Sequence, residues 1–142
     1  MLYRGMKPDP ADLSKPKCGD SSSTLGVRVK HEPGPPLRHH DIVAHAGIVG
    51  PNTGGMSVIS EQYQDLPDHR LPCKFGGEAE DHELFMLIAA SLPKELIARA
   101  DRPGNSNHRA IEPARSCPVG EYVNAIHGTQ SLWAIVTNGQ PQ

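Results

Sequence analysis

A histidine and a glutamate stand four positions apart in "HRAIEP", as His108 and Glu112. Side chains alternate between the faces of an extended strand, so His108, Ala110 and Glu112 would share one face. An imidazole beside a carboxylate is either an acid–base couple of the kind a hydrolase or nuclease uses, or a buried ion pair. A second group lies in "GPNTGGMSVIS", from Gly50 to Ser60, where the pair Gly54 and Gly55 delivers Ser57 into a run of β formers. Glycine adopts positive φ without a Cβ penalty and lets a ligand or another strand approach the backbone closely. The stretch "LPDHRLP" adds His69 and Arg70, which either line a cleft or pin two turns.

Eight histidines invite a metal site, but no HxH or HExxH spacing occurs, and the adjacent His39 and His40 diverge on regular backbone. No metal ligands are assigned. Cys18, Cys73 and Cys117 are far apart, odd in number and form no CxxC pair, which indicates neither a disulfide framework nor a zinc knuckle and fits a reducing compartment. A net charge of −2 and a pI near 6.4 leave no basic field for nonspecific nucleic-acid binding, although a local patch can still take nucleic acid as a substrate. No apolar stretch approaches the roughly 20 residues that span a bilayer, so no membrane partner is expected. The N-terminus lacks an apolar signal core. The sequence therefore predicts a soluble protein, cytoplasmic or delivered into a target cell without a signal peptide.

The elements that must hold these groups are short. Fourteen glycines and fourteen prolines in 142 residues force much irregular backbone and argue against a bundle of long helices. The length suits one domain over 1–142, loop-rich at 7–23 and 61–82, with a tail at 134–142. Strands are expected at Leu2–Gly5, Thr24–Val29, around "DIVAHAG", at "MSVIS", Leu84–Ala89, Leu96–Ala100 and "HRAIEP". Apolar residues from Val119 to Trp133 follow helical spacing after Pro118, so the last element is a helix over 118–133. Many short strands and few helices give an α+β or mainly-β domain.

Three stretches, "LYRG", "DIVAHAGIVGPNTGGMSV" and "HRAIEPARSCPVGEYVNAI", together resemble small toxin domains related to ADP-ribosyltransferases, including effectors of type VI secretion systems. Those toxins run Leu-Tyr-Arg near the start, then a Pro-x-Thr-Gly-Gly-x-Ser-Val turn, then a His-x-x-Ile-x-Pro-Ala segment before the last helix. The likeness covers about half of the chain in separate pieces. It implies an α+β fold in which two small antiparallel sheets form a cleft for NAD. Arg4 would grip NAD through its phosphates, Ser57 would shape the pocket, and Glu112 would face the nicotinamide ribose. Tyr3, Tyr63 or Phe75 would stack on a ring. The Ser/Thr-x-Ser/Thr triplet of the family is reduced here to Met56-Ser57-Val58, with one hydroxyl.

Breaking the nicotinamide–ribose bond builds positive charge on the sugar, which a carboxylate such as Glu112 would stabilise. The resemblance thus implies transfer of ADP-ribose from NAD to a protein, nucleic acid or water, and a cognate immunity protein if the domain is a toxin. Two rival readings use the same residues. One is a non-catalytic module that holds a protein partner through 61–82; the other is a small hydrolase or nuclease using His69 or His108.

Overall fold

The computed structural model describes residues 1–104 and 107–137. The expected loop "DRPGNSN" and the tail fall partly outside these residues. Twelve strands and one α-helix follow in the order β1 (Leu2–Met6), β2 (Pro8–Asp9), β3 (Asp12–Pro16), β4 (Val29–Glu32), β5 (Ile42–His45), β6 (Ile48–Val49), β7 (Met56–Ser60), β8 (Glu83–Leu87), β9 (Leu96–Ala100), β10 (His108–Pro113), β11 (Cys117–Pro118), α1 (Val119–His127) and β12 (Ala134–Ile135). The architecture is mostly β, with a single helix among the described residues, and is compatible with α+β.

Instead of two small antiparallel sheets, three sheets of unequal size form. The largest is antiparallel, in the order β12-β8-β1-β7-β10-β9. A four-stranded sheet, β11-β6-β5-β4, contains one parallel pair, β4 with β5. The pair β2-β3 makes the third. That hairpin replaces part of the expected loop 7–23, because Asp9 and Asp12 close it locally: Asp9 Oδ1 accepts from Ala11 N–H and Asp12 Oδ1 from Ser14 N–H.

Other boundaries move for equally local reasons. Residues 24–28 do not join a long ladder; Leu25 N–H donates to Lys17 C=O and Gly19 N–H to Leu25 C=O, so the regular strand starts only at Val29. The eighth strand ends at Leu87, two residues early, and Ala89–Ser91 forms a 3-10 turn before Pro93. The ninth matches its expected bounds. The helix stops at His127 because the chain turns at Gly128 and Thr129, whose hydroxyl donates to Ile126 C=O. The expected tail in fact begins as an edge strand: Ala134 and Ile135 pair with β8, and Val136 is fully buried.

Period-2 alternation gives the large sheet two dissimilar faces. One carries Leu2, Met6, Met56, Val58, Phe85, Leu87 and Ile111 into the main core, where they meet Ile42 and Ala44 of the small sheet, Tyr122 and Ile126 of the helix, and Trp133. The other carries Tyr3, Leu84 and Met86, which pack with Val136 and, beneath the 61–82 loop, with Tyr63 and Phe75. Registers Tyr3↔Ile59, His108↔Ile59 and Ala110↔Ser57 put Ser57, Ile59 and His108 on this second face too. The candidate site grows from there.

Candidate functional site

Strands β1 and β7 begin as partners and then part. Their ladder holds only Leu2↔Ser60 and Tyr3↔Ile59, after which β1 stays with β8 while β7 continues with β10. Arg4 occupies the opening. Its Nη1 donates to Ser57 C=O at 2.7 Å, and Nε and Nη2 donate to Thr24 C=O at 3.2 and 2.9 Å, with Nη2 also 3.4 Å from Ser21 C=O. The side chain is 6% exposed. Burial lowers its pKa to about 10, offset in part by Asp41. Arg4 therefore lies at the cleft, but its donors are spent on protein carbonyls.

A cavity of about 490 Å³ opens beside this split. Its floor is Gly5, Ser57, Ile59 and His108, and one wall is Leu66, Pro67, His69 and Arg70 of the long loop. The loop lies so close because Gly5 has no side chain: a Cβ there would sit 1.9 Å from Arg70 C=O. The lining also includes Arg28, His40, Asp41, Gly54 and Gly55, and Asp101 and Arg102 just after the end of β9. Four arginines against two aspartates give the lining a formal excess of two positive charges, in a chain whose net charge is −2.

The aspartates are already engaged. Asp41 takes Arg28 in a fork, Nη2 to Oδ1 at 3.1 Å and Nε to Oδ2 at 3.2 Å, and Oδ2 also accepts Arg28 N–H at 2.7 Å. Asp101 Oδ1 is 2.5 Å from His108 Nδ1. Arg70 is half-buried and its guanidinium makes no hydrogen bond or ion pair among the described residues. Burial lowers its pKa, and so does Arg28. The same crowding of cations, after burial itself, lowers the pKa of His82, whose two ring nitrogens are buried without a hydrogen-bond partner. An anion placed in this cavity would relieve that repulsion.

Of the residues singled out from sequence, Arg4, Gly54, Gly55, Ser57, His69, Arg70 and His108 all line this one cavity. Tyr3 does not; it is 2% exposed and meets Tyr63 edge to face at 5.8 Å, as Tyr63 meets Phe75 at 5.5 Å, so these rings stack on one another. Nor does Glu112 belong to the lining. Its Oε1 accepts Asn52 N–H at 2.9 Å and lies 3.3 Å from Arg99 Nε, which ties the Gly50–Gly55 turn to β10. The supposed His108–Glu112 couple is therefore two separate pairs, His108 with Asp101 and Glu112 with Arg99. Glu112→Ala is expected to cost about 1.5–3 kcal/mol, the usual value of hydrogen bonds to a charged group, read as a lower urea midpoint with unchanged m.

The glycine pair serves one of its two expected uses, the close approach of other backbone. A Cβ on Gly54, whose φ is +110°, would lie 2.2 Å from Asp41 C=O, and one on Gly55 would lie 2.4 Å from Ile111 C=O. Protein backbone lies against the side of each glycine where a Cβ would stand, and the pair lets the turn dock between β5 and β10 at the edge of the cavity. Sequence reading missed Arg28, Asp41, Asp101 and Arg102. The one signal for the last two was an Asp-Arg pair at the exit of a strand just before Pro103, where side chains leave the ladder.

No protein-family model matches the chain, and no curated protein matches it. Among the described residues no helix is long and apolar enough to cross a membrane, and no three histidine, cysteine or acidic side chains come together to hold a metal ion.

Proposed function

We propose that the protein is an ADP-ribosyltransferase-like enzyme, a toxin or toxin-derived protein, that cleaves the nicotinamide–ribose bond of NAD in this cavity and transfers ADP-ribose to an acceptor. One observation carries the reading: Arg70, unpaired and partly desolvated, faces a cavity with an excess of positive charge. Such a site favours a polyanion, and the diphosphate of NAD supplies one with four oxygens that a guanidinium can fork. A cavity near 490 Å³ is within the range that encloses a ligand of drug size. Arg70 would take the diphosphate, and Arg4 would hold the split open between β1 and β7. If the chain acts as a toxin, a cognate immunity protein would cover the cavity mouth.

The test is calorimetry with NAD alongside measurement of released nicotinamide, comparing wild type with Arg70→Ala. Loss of a charged hydrogen-bonding partner should weaken NAD binding roughly ten- to hundredfold. The unfolding midpoint should not move, because the guanidinium holds nothing in the free protein. Absence of NAD binding by the wild type, or equal binding by the variant, would overturn the reading. A second reading, phosphodiester cleavage without NAD, draws on the three histidines in the lining, His40, His69 and His108. Degradation of RNA in NAD-free buffer, abolished in His108→Ala, would favour it.

A further inference from the structure

We infer that Asp101 and His108 form the base of the transfer step, and that the acceptor is a hydroxyl rather than a lysine or arginine side chain. This rests on the proposed NAD reading. The carboxylate of Asp101 can only accept, so the proton between it and the ring sits on His108 Nδ1, at 2.5 Å. In the neutral ring the lone pair is then on Nε2, which makes no hydrogen bond among the described residues. His108 is 5% exposed, and Asp101 reaches it from the strand next door, since β9 ends at Ala100 beside Arg109. Both line the cavity, and Ser57, the diagonal neighbour of His108 on the same face, lines it with them.

A buried imidazole oriented by a carboxylate behind it is suited to taking one proton from a neutral O–H. In the step, the acceptor oxygen bonds to the anomeric carbon of the nicotinamide ribose while the bond from that carbon to the nicotinamide nitrogen breaks. The bonding pair leaves with nicotinamide, which departs neutral. The hydroxyl proton passes to His108 Nε2, and Asp101 stabilises the resulting imidazolium until solvent takes the proton. Four arginines around the cavity repel a lysine or arginine acceptor and leave a neutral hydroxyl unopposed.

The experiment uses the full chain with NAD and five probe acceptors: water, methanol, azide, free lysine and free arginine. Azide is already an anion and needs no base. His108→Gln, close in size to the imidazole, and His108→Ala should bind NAD as the wild type does, within about threefold, while nicotinamide release with water or methanol falls by roughly 10²- to 10⁴-fold. Azide should restore release in both variants. Asp101→Asn should lose activity too, because it favours the wrong tautomer. A readout free of turnover is the ¹⁵N spectrum of the His108 ring, with the proton on Nδ1 in wild type and redistributed in Asp101→Asn. Release by His108→Gln as fast as wild type overturns the base assignment alone, and so does a loss that azide leaves unrepaired while NAD still binds. Faster transfer to free lysine or arginine than to methanol overturns the acceptor class. A wild type that does not bind NAD overturns the NAD reading, and this inference with it.

Discussion

Arg4→Ala is expected to destabilise the protein by about 3–5 kcal/mol, from stranded acceptors at about 1–3 kcal/mol each plus the cavity left behind. The Arg4 side chain closes the backbone of three segments at once. Thr24 C=O and Ser21 C=O come from a turn and Ser57 C=O from β7, and the guanidinium ties both to β1. Without the guanidinium these carbonyls lose their donor. Urea unfolding followed by circular dichroism would show a fall in midpoint, and Arg4→Lys should recover only part of it, since one ammonium cannot reproduce a planar fork. The contrast with Arg70→Ala is the informative part. One variant should lose stability and therefore the shape of the cavity, and the other should lose ligand with stability intact. Equal stability of Arg4→Ala and wild type would mean that the carbonyls find water and that the guanidinium is free for a ligand.

Trp133→Ala should cost a similar amount, about 3–5 kcal/mol, as for other large buried aromatic truncations. Trp133 is fully buried in the main core, and its Nε1–H donates to Thr129 Oγ1 at 3.1 Å. Its backbone carbonyl lies 3.4 Å from Lys15 Nζ, which joins the β2-β3 hairpin to the chain just before β12. Truncation therefore opens a hole and loosens the edge strand whose Val136 seals the second core beside the site. The melting temperature should fall by roughly 10–20 °C, at about 4 °C per kcal/mol for a domain near 150 residues. Trp133 is the only tryptophan, so the melt must be read by circular dichroism rather than fluorescence. Trp133→Phe, which keeps most of the apolar area, should lose much less; an equal loss would place the effect in the Nε1 hydrogen bond instead of packing.

Local signals were good guides wherever neighbouring residues decide the outcome. "LYRGM", "MSVIS", "LIARA" and "HRAIEP" all form strands, because alternation and β-branched residues act over a few positions. The helix beginning at Val119 was legible for the same reason, from apolar spacing after Pro118. The hairpin at 8–16, the late start of β4 and the strand at Ala134–Ile135 were not. The last two depend on a partner elsewhere, a hydrogen bond to Lys17 and an open edge on β8, whereas the hairpin is closed by local Asx contacts around Pro10 that the proline-based loop reading overrode.

The candidate site divides in the same way. Sequence determined which groups were available: a histidine on one face of a β10-like strand, a serine after a glycine turn, an arginine in each of two separate motifs. It offered Gly54 and Gly55 as a tight turn, and only the carbonyls of Asp41 and Ile111 packed against them leave no room for a Cβ. Tertiary structure alone decided who pairs with whom. Glu112 is drawn to Asn52 and Arg99, His108 to Asp101, and Arg4 to three carbonyls, while Arg70 is left facing the cavity. The physical reason is that a charge chooses its partner by distance and burial in three dimensions, over separations of 7 to 60 residues here, and neither quantity is encoded at the residue itself.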